Sequence, residues 1–157
     1  MTDEIRGAAD TRAAVEEVLS FWLGAGPAAW YKQDDAFDAE ITERFGALWE
    51  QGAAGALDEI WATNPKGALA LIILLDQFPR NMFRGQARAF HSDARALSVA
   101  CYGIDRGWDM RTPEPERQFY YIPFMHSERL TDQDHCVRLF KERMPGDNVL
   151  HAHAHRE

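Results

Sequence analysis

The stretch "GALALIILLDQFPRNMFRG", residues 67 to 85, decides how the chain folds. Ala68 through Leu75 offers no polar side chain, and Thr63-Asn64-Pro65 upstream pairs a capping residue with a proline suited to the first helical position. A helix with so unbroken an apolar run is buried on all sides, so the segment reads as the central helix of the domain. Within two residues the character changes to Asp76, Gln77, Phe78, Pro79, Arg80, Asn81 and Arg84. Pro79 predicts an end near Phe78, because its ring and missing N–H oppose continuation. Asp76 then sits at the negative end of the helix dipole, unfavourable by ~0.3–1 kcal/mol unless a cation lies beside it. Arg80 and Arg84 are the nearest cations in sequence, and Arg80, Asn81 and the Gln77 amide can supply donors to the last carbonyls.

Working outward, the other long segments share the helical period. Thr11 to Leu23 spaces Val15, Val18, Leu19 and Trp22 for one face, with Gly24 as the stop. Asp34 or Asp35 can cap a second helix whose stripe is Phe37, Ile41, Phe45, Leu48 and Trp49, ended by Gly52 and Gly55. After the central helix, His91-Ser92-Asp93 opens a fourth that closes near Gly107. Thr112-Pro113-Glu114 starts a fifth carrying Phe119, Tyr120, Ile122 and Met125; Pro123 should kink or break it and free the Phe119 carbonyl. Thr131-Asp132-Gln133-Asp134, a capping box with Asp in place of Glu, opens a sixth that ends near Pro145-Gly146. No segment has strand periodicity, and no exact repeat or linker divides the chain. The expectation is one all-α domain over 1–157, about six helices with short loops and mostly antiparallel neighbours.

Composition narrows the function classes. Net charge is −8 without a basic stretch interleaved with aromatics, which argues against nucleic-acid binding. The N-terminus has no basic region leading into an apolar one, and the longest apolar run is too short for a membrane span. Cys101 and Cys136 lack CxxC spacing and read as reduced thiols of a cytoplasmic protein. Only Lys32, Lys66 and Lys141 of the 17 basic residues are lysine. Arginine suits bidentate carboxylate and anion contacts, although the codon bias of a GC-rich genome explains the same skew.

A second polar cluster lies in "RQFYYIPFMHSERLTDQ", residues 117 to 133. His126 and Gln133 are seven apart and share a helix face; Glu128 and Asp132, four apart, share another. Ser127 sits between them. Both clusters follow a proline-disturbed helix end, and a helical bundle requires neither. They support three readings: an ion-pair network that fixes packing, a ligand pocket, or a catalytic site using His126, Glu128 or Asp76 as general acid or base. His126, Glu128, Asp132 and His135 lack metal-ligand spacing, and His151, His153 and His155 near the chain end suit adventitious chelation, so no metal or other cofactor is expected. Ser127 lies in no GxSxG elbow, and the glycines form no phosphate-binding loop. The five tryptophans fit core or rim packing.

"SFWLG" (20–24), "WYKQDDAFDAEITERF" (30–45), the 67–85 stretch and "FYYIPFMHSERLTDQ" (119–133) resemble the bacterial domain-of-unknown-function 924 family. The resemblance implies a tetratricopeptide-like, right-handed arrangement of antiparallel helix pairs, and no established activity. Its motif positions fall on Asp76, Gln77, Pro79, Arg80, Asn81, Arg84, Asp93, His126, Ser127, Glu128, Asp132 and Gln133. With His155-Arg156 aligned to the family's His-Arg pair, the resemblance leads to the expectation that the family's usual C-terminal extension is missing from this sequence. The resulting expectation is a bacterial binding module. Asp76, Gln77, Arg80, Asn81, Arg84, His126, Ser127, Glu128, Asp132 and Gln133 would form its pocket, for a small anionic ligand or a carboxylate-bearing peptide. An enzyme pairing His126 with a carboxylate and a purely structural or interaction protein are the alternatives, and self-association is left open.

Overall fold

The computed structural model describes residues 3–144, with side chains from residue 11 onward. The expected helix end at Pro145-Gly146, the histidine-rich tail and the His155-Arg156 pair lie outside the described residues. The chain runs through α1 (Asp3–Ala25), α2 (Pro27–Trp30), α3 (Asp35–Ala53), α4 (Asp58–Trp61) and α5 (Pro65–Ile72). A π-turn (Ile73–Gln77) leads into α6 (Phe78–Met82), and a 3-10 turn (Ala87–Phe90) precedes α7 (Asp93–Asp105). Two further 3-10 turns, Asp109–Arg111 and Glu116–Tyr120, lead to α8 (Ile122–Met125) and α9 (Leu130–Arg143). The fold is all-α, with no strand among the described residues. Pairings of α3 with α6, α5 with α7 and α8 with α9 approximate the paired-helix arrangement that the resemblance implies.

Several start signals act as the sequence predicts. The Asp34 carboxylate accepts from the Ala36 and Phe37 amides at 3.0 and 3.1 Å, and Asn64 accepts from Gly67 at 2.9 Å with Pro65 next to it. The central segment is as buried as its composition demands: Ala68 through Leu75 all lie in the core. It packs against α1, α4 and α7, and the π-turn that follows packs against α3. Trp22, Phe45 and Phe78 form an aromatic cluster beside it, and the Trp30 indole is tied to the Trp22 carbonyl at 2.7 Å.

Pro79 does not stop this helix. The chain loosens instead into the π-turn, where the Phe78 amide reaches back five residues to the Ile73 carbonyl, and α6 begins beside the proline. An internal proline costs a helix ~3 kcal/mol, whereas burying Leu71, Ile72, Ile73, Leu74 and Leu75 returns ~1.5–3 kcal/mol each, so packing decides the path. In an α-helix residue 79 would donate to the Leu75 carbonyl; Ser92 Oγ donates there instead at 2.6 Å, and Trp49 Nε1 donates to that hydroxyl at 3.0 Å. Ser92 precedes α7 but makes no cap bond, because its side chain is turned to this task. Asp76 is therefore inside a continuing helical path, and the dipole end lies a turn further on at Met82.

Two other segments differ from expectation. No long fifth α-helix forms: the chain from Asp109 to Met125 is broken into short turns, and Pro123 begins α8 rather than kinking a longer helix. α9 starts at Leu130 without a capping bond from Thr131. Its start is organised by Ser127, whose hydroxyl accepts from the Arg129 amide at 3.1 Å and donates to Asp132 at 2.7 Å. Gln133 reaches back to the Ser127 carbonyl at 2.8 Å.

Candidate functional site

The π-turn and the end of α8 meet at Asp76 and His126, fifty residues apart in sequence and 2.8 Å apart from Oδ1 to Nδ1. Asp76 is fully buried, and its other oxygen accepts from the Gln77 amide at 2.7 Å. Burial is the largest influence on this carboxyl and favours its neutral form. His126, then Arg80 and the Gln77 amide, outweigh it and hold the group below the ordinary carboxylate range. Because an ionised carboxylate only accepts, the Asp76 contact places a proton on His126 Nδ1. Nε2 is then the ring atom left for solvent or a ligand, acceptor when the ring is neutral and donor when it is charged.

The arginines behave differently from one another. Arg80 bridges three groups: Nη1 donates to the Asp76 carbonyl at 2.6 Å, and the fork closes on Asp93 at 2.8 and 2.9 Å. Its distance to the Asp76 carboxylate is 3.6 Å, so this ion pair forms as expected while most of the fork serves α7. Arg84 does not reach Asp76. Its Nε and Nη2 close on Asp38 of α3 at 2.8 and 3.1 Å, and Asn81 donates to the same carboxylate at 2.9 Å. Asp93, Asp76 and Asp38 thus pin α7, the π-turn and α3 around one spot.

A cavity of about 300 Å³ opens there. Trp30, Tyr31, Ile122 and Met125 line it with apolar surface, and Lys32, Gln77, Arg80, Asn81, Arg84 and His126 with polar groups. The His126 side chain is 18% exposed, so it is reachable and not enclosed. The Tyr31 hydroxyl donates to Gln118; burial first, then the Asp76 charge, raises its pKa above the ordinary phenol value. A larger open groove of about 730 Å³ lies between α4 and α7. There Arg95 is held by Asp58 at 2.6 Å, and the Thr63 and Ser98 hydroxyls turn back to the Ile60 and Ala94 carbonyls, so it lacks converging donors.

Six of the ten sequence candidates, Asp76, Gln77, Arg80, Asn81, Arg84 and His126, meet at or beneath the smaller cavity. Ser127, Asp132 and Gln133 are engaged with one another at the start of α9, and Glu128 is exposed and forms no ion pair among the described residues. Trp30, Tyr31 and Lys32 were missed by residue-by-residue reasoning, as was the Asp38 clamp. The density of polar residues in "WYKQDDAFDAE" was the available signal. Among the described residues no three His, Cys, Asp or Glu side chains converge for a metal, and no helix is long and apolar enough to cross a membrane.

Fold and site define an all-α protein in which buried Asp76, on the central helical path, meets a partly exposed His126 at the end of α8 beside a small cavity. Residues 18–157 match the family model described as bacterial protein of unknown function (DUF924), and the chain belongs to that family. It is similar to a solved structure of a protein of unknown function, ATU0120 from Agrobacterium tumefaciens. The two are 38% identical with a TM-score of 0.88, over 93% of this chain and 82% of that one. No curated protein matches.

Proposed function

We propose that the cavity beside His126 binds a small anion and that the protein is a binding module. The observation that carries this reading is the Asp76–His126 contact of 2.8 Å at the wall of a polar cavity. It orients the ring so that Nε2 can donate to a ligand once the imidazole is protonated. Lys32, exposed and lining the cavity, supplies a cation, and the Asp38, Asp76 and Asp93 contacts hold the arginines and the histidine in place before any ligand arrives. A pocket of this volume suits a small molecule better than a peptide.

A catalytic reading draws on the same pair, since a buried carboxylate behind a histidine is also how a general base is oriented. The Ser127 hydroxyl is engaged by Asp132, so water would have to be the nucleophile. Isothermal titration calorimetry and thermal shift at pH 6.5 with small carboxylates, inorganic phosphate and phenyl phosphate test the binding reading. Saturable stabilisation by at least one anion, lost in His126→Ala while the helical circular dichroism is retained, is expected. No stabilisation by any of them, or full binding by His126→Ala, would overturn it.

A further inference from the structure

The charges around the cavity restrict which anion it can take. Arg80 is paired with Asp93 and faces Asp76, and Arg84 is paired with Asp38 and feels Asp35 as well. Lys32 lines the cavity without an ion pair among the described residues. Asp38, Asp76 and Asp93 match the three permanent cations (Arg80, Arg84 and Lys32) in number, and exposed Asp35 adds a further negative charge near Arg84. Tyr31 and Cys136, which also feel Asp76, are neutral at pH 7, because burial foremost raises both. The permanent charges around the cavity thus leave no positive excess to offset a dianion. A phosphate monoester brings ≈ −1.5 to −2 charges at pH 7, more than the site can offset. A carboxylate brings one.

The apolar wall adds a second requirement. Trp30, Ile122 and Met125 are largely buried yet line the cavity together with the more exposed Tyr31. A ligand that is only a charged head would leave that wall uncovered. At roughly 30 Å³ per water molecule, the volume of about 300 Å³ holds on the order of ten water-sized groups, a guide to about ten non-hydrogen atoms.

We infer that the occupant is a monocarboxylate with an apolar or aromatic body of about ten non-hydrogen atoms, bound together with one proton that settles on His126 Nε2. The inference rests on the anion-binding reading above and names its ligand class. On binding, the carboxylate accepts from His126 Nε2–H and the Lys32 ammonium, while Nδ1–H stays on Asp76. No covalent bond changes.

Calorimetry with the full chain tests this, using phenylacetate, acetate, phenyl phosphate and inorganic phosphate as probes. Runs at pH 6.5 and 8.0 in buffers of different ionisation enthalpy report proton uptake. Phenylacetate is expected to bind at least tenfold tighter than acetate and than phenyl phosphate. Its affinity should be higher at pH 6.5 than at pH 8.0, with net proton uptake on binding. Lys32→Ala, a change at an exposed residue, should weaken phenylacetate at least tenfold, and His126→Gln should abolish the proton uptake. Phenyl phosphate binding as tightly as phenylacetate, or phenylacetate binding without proton uptake, overturns the monocarboxylate inference and leaves the anion site standing. Binding by none of the probes overturns both.

Discussion

Replacing Ser92 with alanine should destabilise the protein far beyond the ordinary cost of losing one hydroxyl. Ser92 is 3% exposed, and its Oγ serves two buried groups, donating to the Leu75 carbonyl at 2.6 Å and accepting from Trp49 Nε1 at 3.0 Å. Both lose their partner in Ser92→Ala, and each unsatisfied buried group costs about 1–3 kcal/mol, so a loss of about 2–6 kcal/mol is expected. The Leu75 carbonyl depends on Ser92 because Pro79 has no N–H to offer. In a Pro79→Ala background the restored N–H can serve Leu75, and Ser92→Ala should then cost about 1 kcal/mol less than in the wild type. Urea denaturation followed by far-UV circular dichroism gives all four corners of this double-mutant cycle. A Ser92→Ala cost below about 0.5 kcal/mol, or strict additivity of the two substitutions, would refute the account of how the chain passes through its proline.

Asp76 has a folded-state pKa below its unfolded value of about 3.9, so its stabilisation is complete above about pH 4 and disappears as pH falls through the lower folded value. The wild-type denaturation midpoint should therefore drop below about pH 4. Asp76→Asn should flatten that acid limb and cost about 3 kcal/mol or more at pH 7 by leaving His126 and Arg80 without their buried anion. A Cβ on Gly67 would stand 2.1 Å from the Trp61 carbonyl oxygen, so Gly67→Ala should lower the Tm by more than about 5 °C in a thermal melt. Ellman's reagent should modify exposed Cys101 well before buried Cys136, whose thiol burial pushes up to about 12; equal rates would contradict the packing around α9.

Helical periodicity, Asn64-Pro65, Asp34 and the apolar run of 68–75 made most of the fold legible, because each signal is local and each acts locally in the structure. Pro79 misled for a physical reason. A proline reads as a break in isolation, but its outcome depends on whether distant groups can satisfy the freed carbonyls, and Ser92 lies 17 residues from Leu75. The identity of the polar clusters was legible, whereas their partners were not. Arg84 reads as a natural mate for Asp76 at short spacing, yet it closes on Asp38, 46 residues away, because α3 packs on α6. Asp93 carried an N-terminal helix signal and turned out to hold Arg80. The second cluster divided along the same line. His126 joins the core site, while Ser127, Asp132 and Gln133 serve the start of their own helix.

The account depends most on His126 being held at Nδ1 and available at Nε2. Long-range ¹H–¹⁵N imidazole spectra, recorded while phenylacetate is titrated into the protein at pH 7, observe both nitrogens. The expected result is a His126 Nδ1 that stays protonated throughout and an Nε2 signal that moves saturably toward the protonated form, with His91 and His135 unmoved. An Nε2 signal indifferent to ligand, or an Nδ1 without its proton in the free protein, would contradict it.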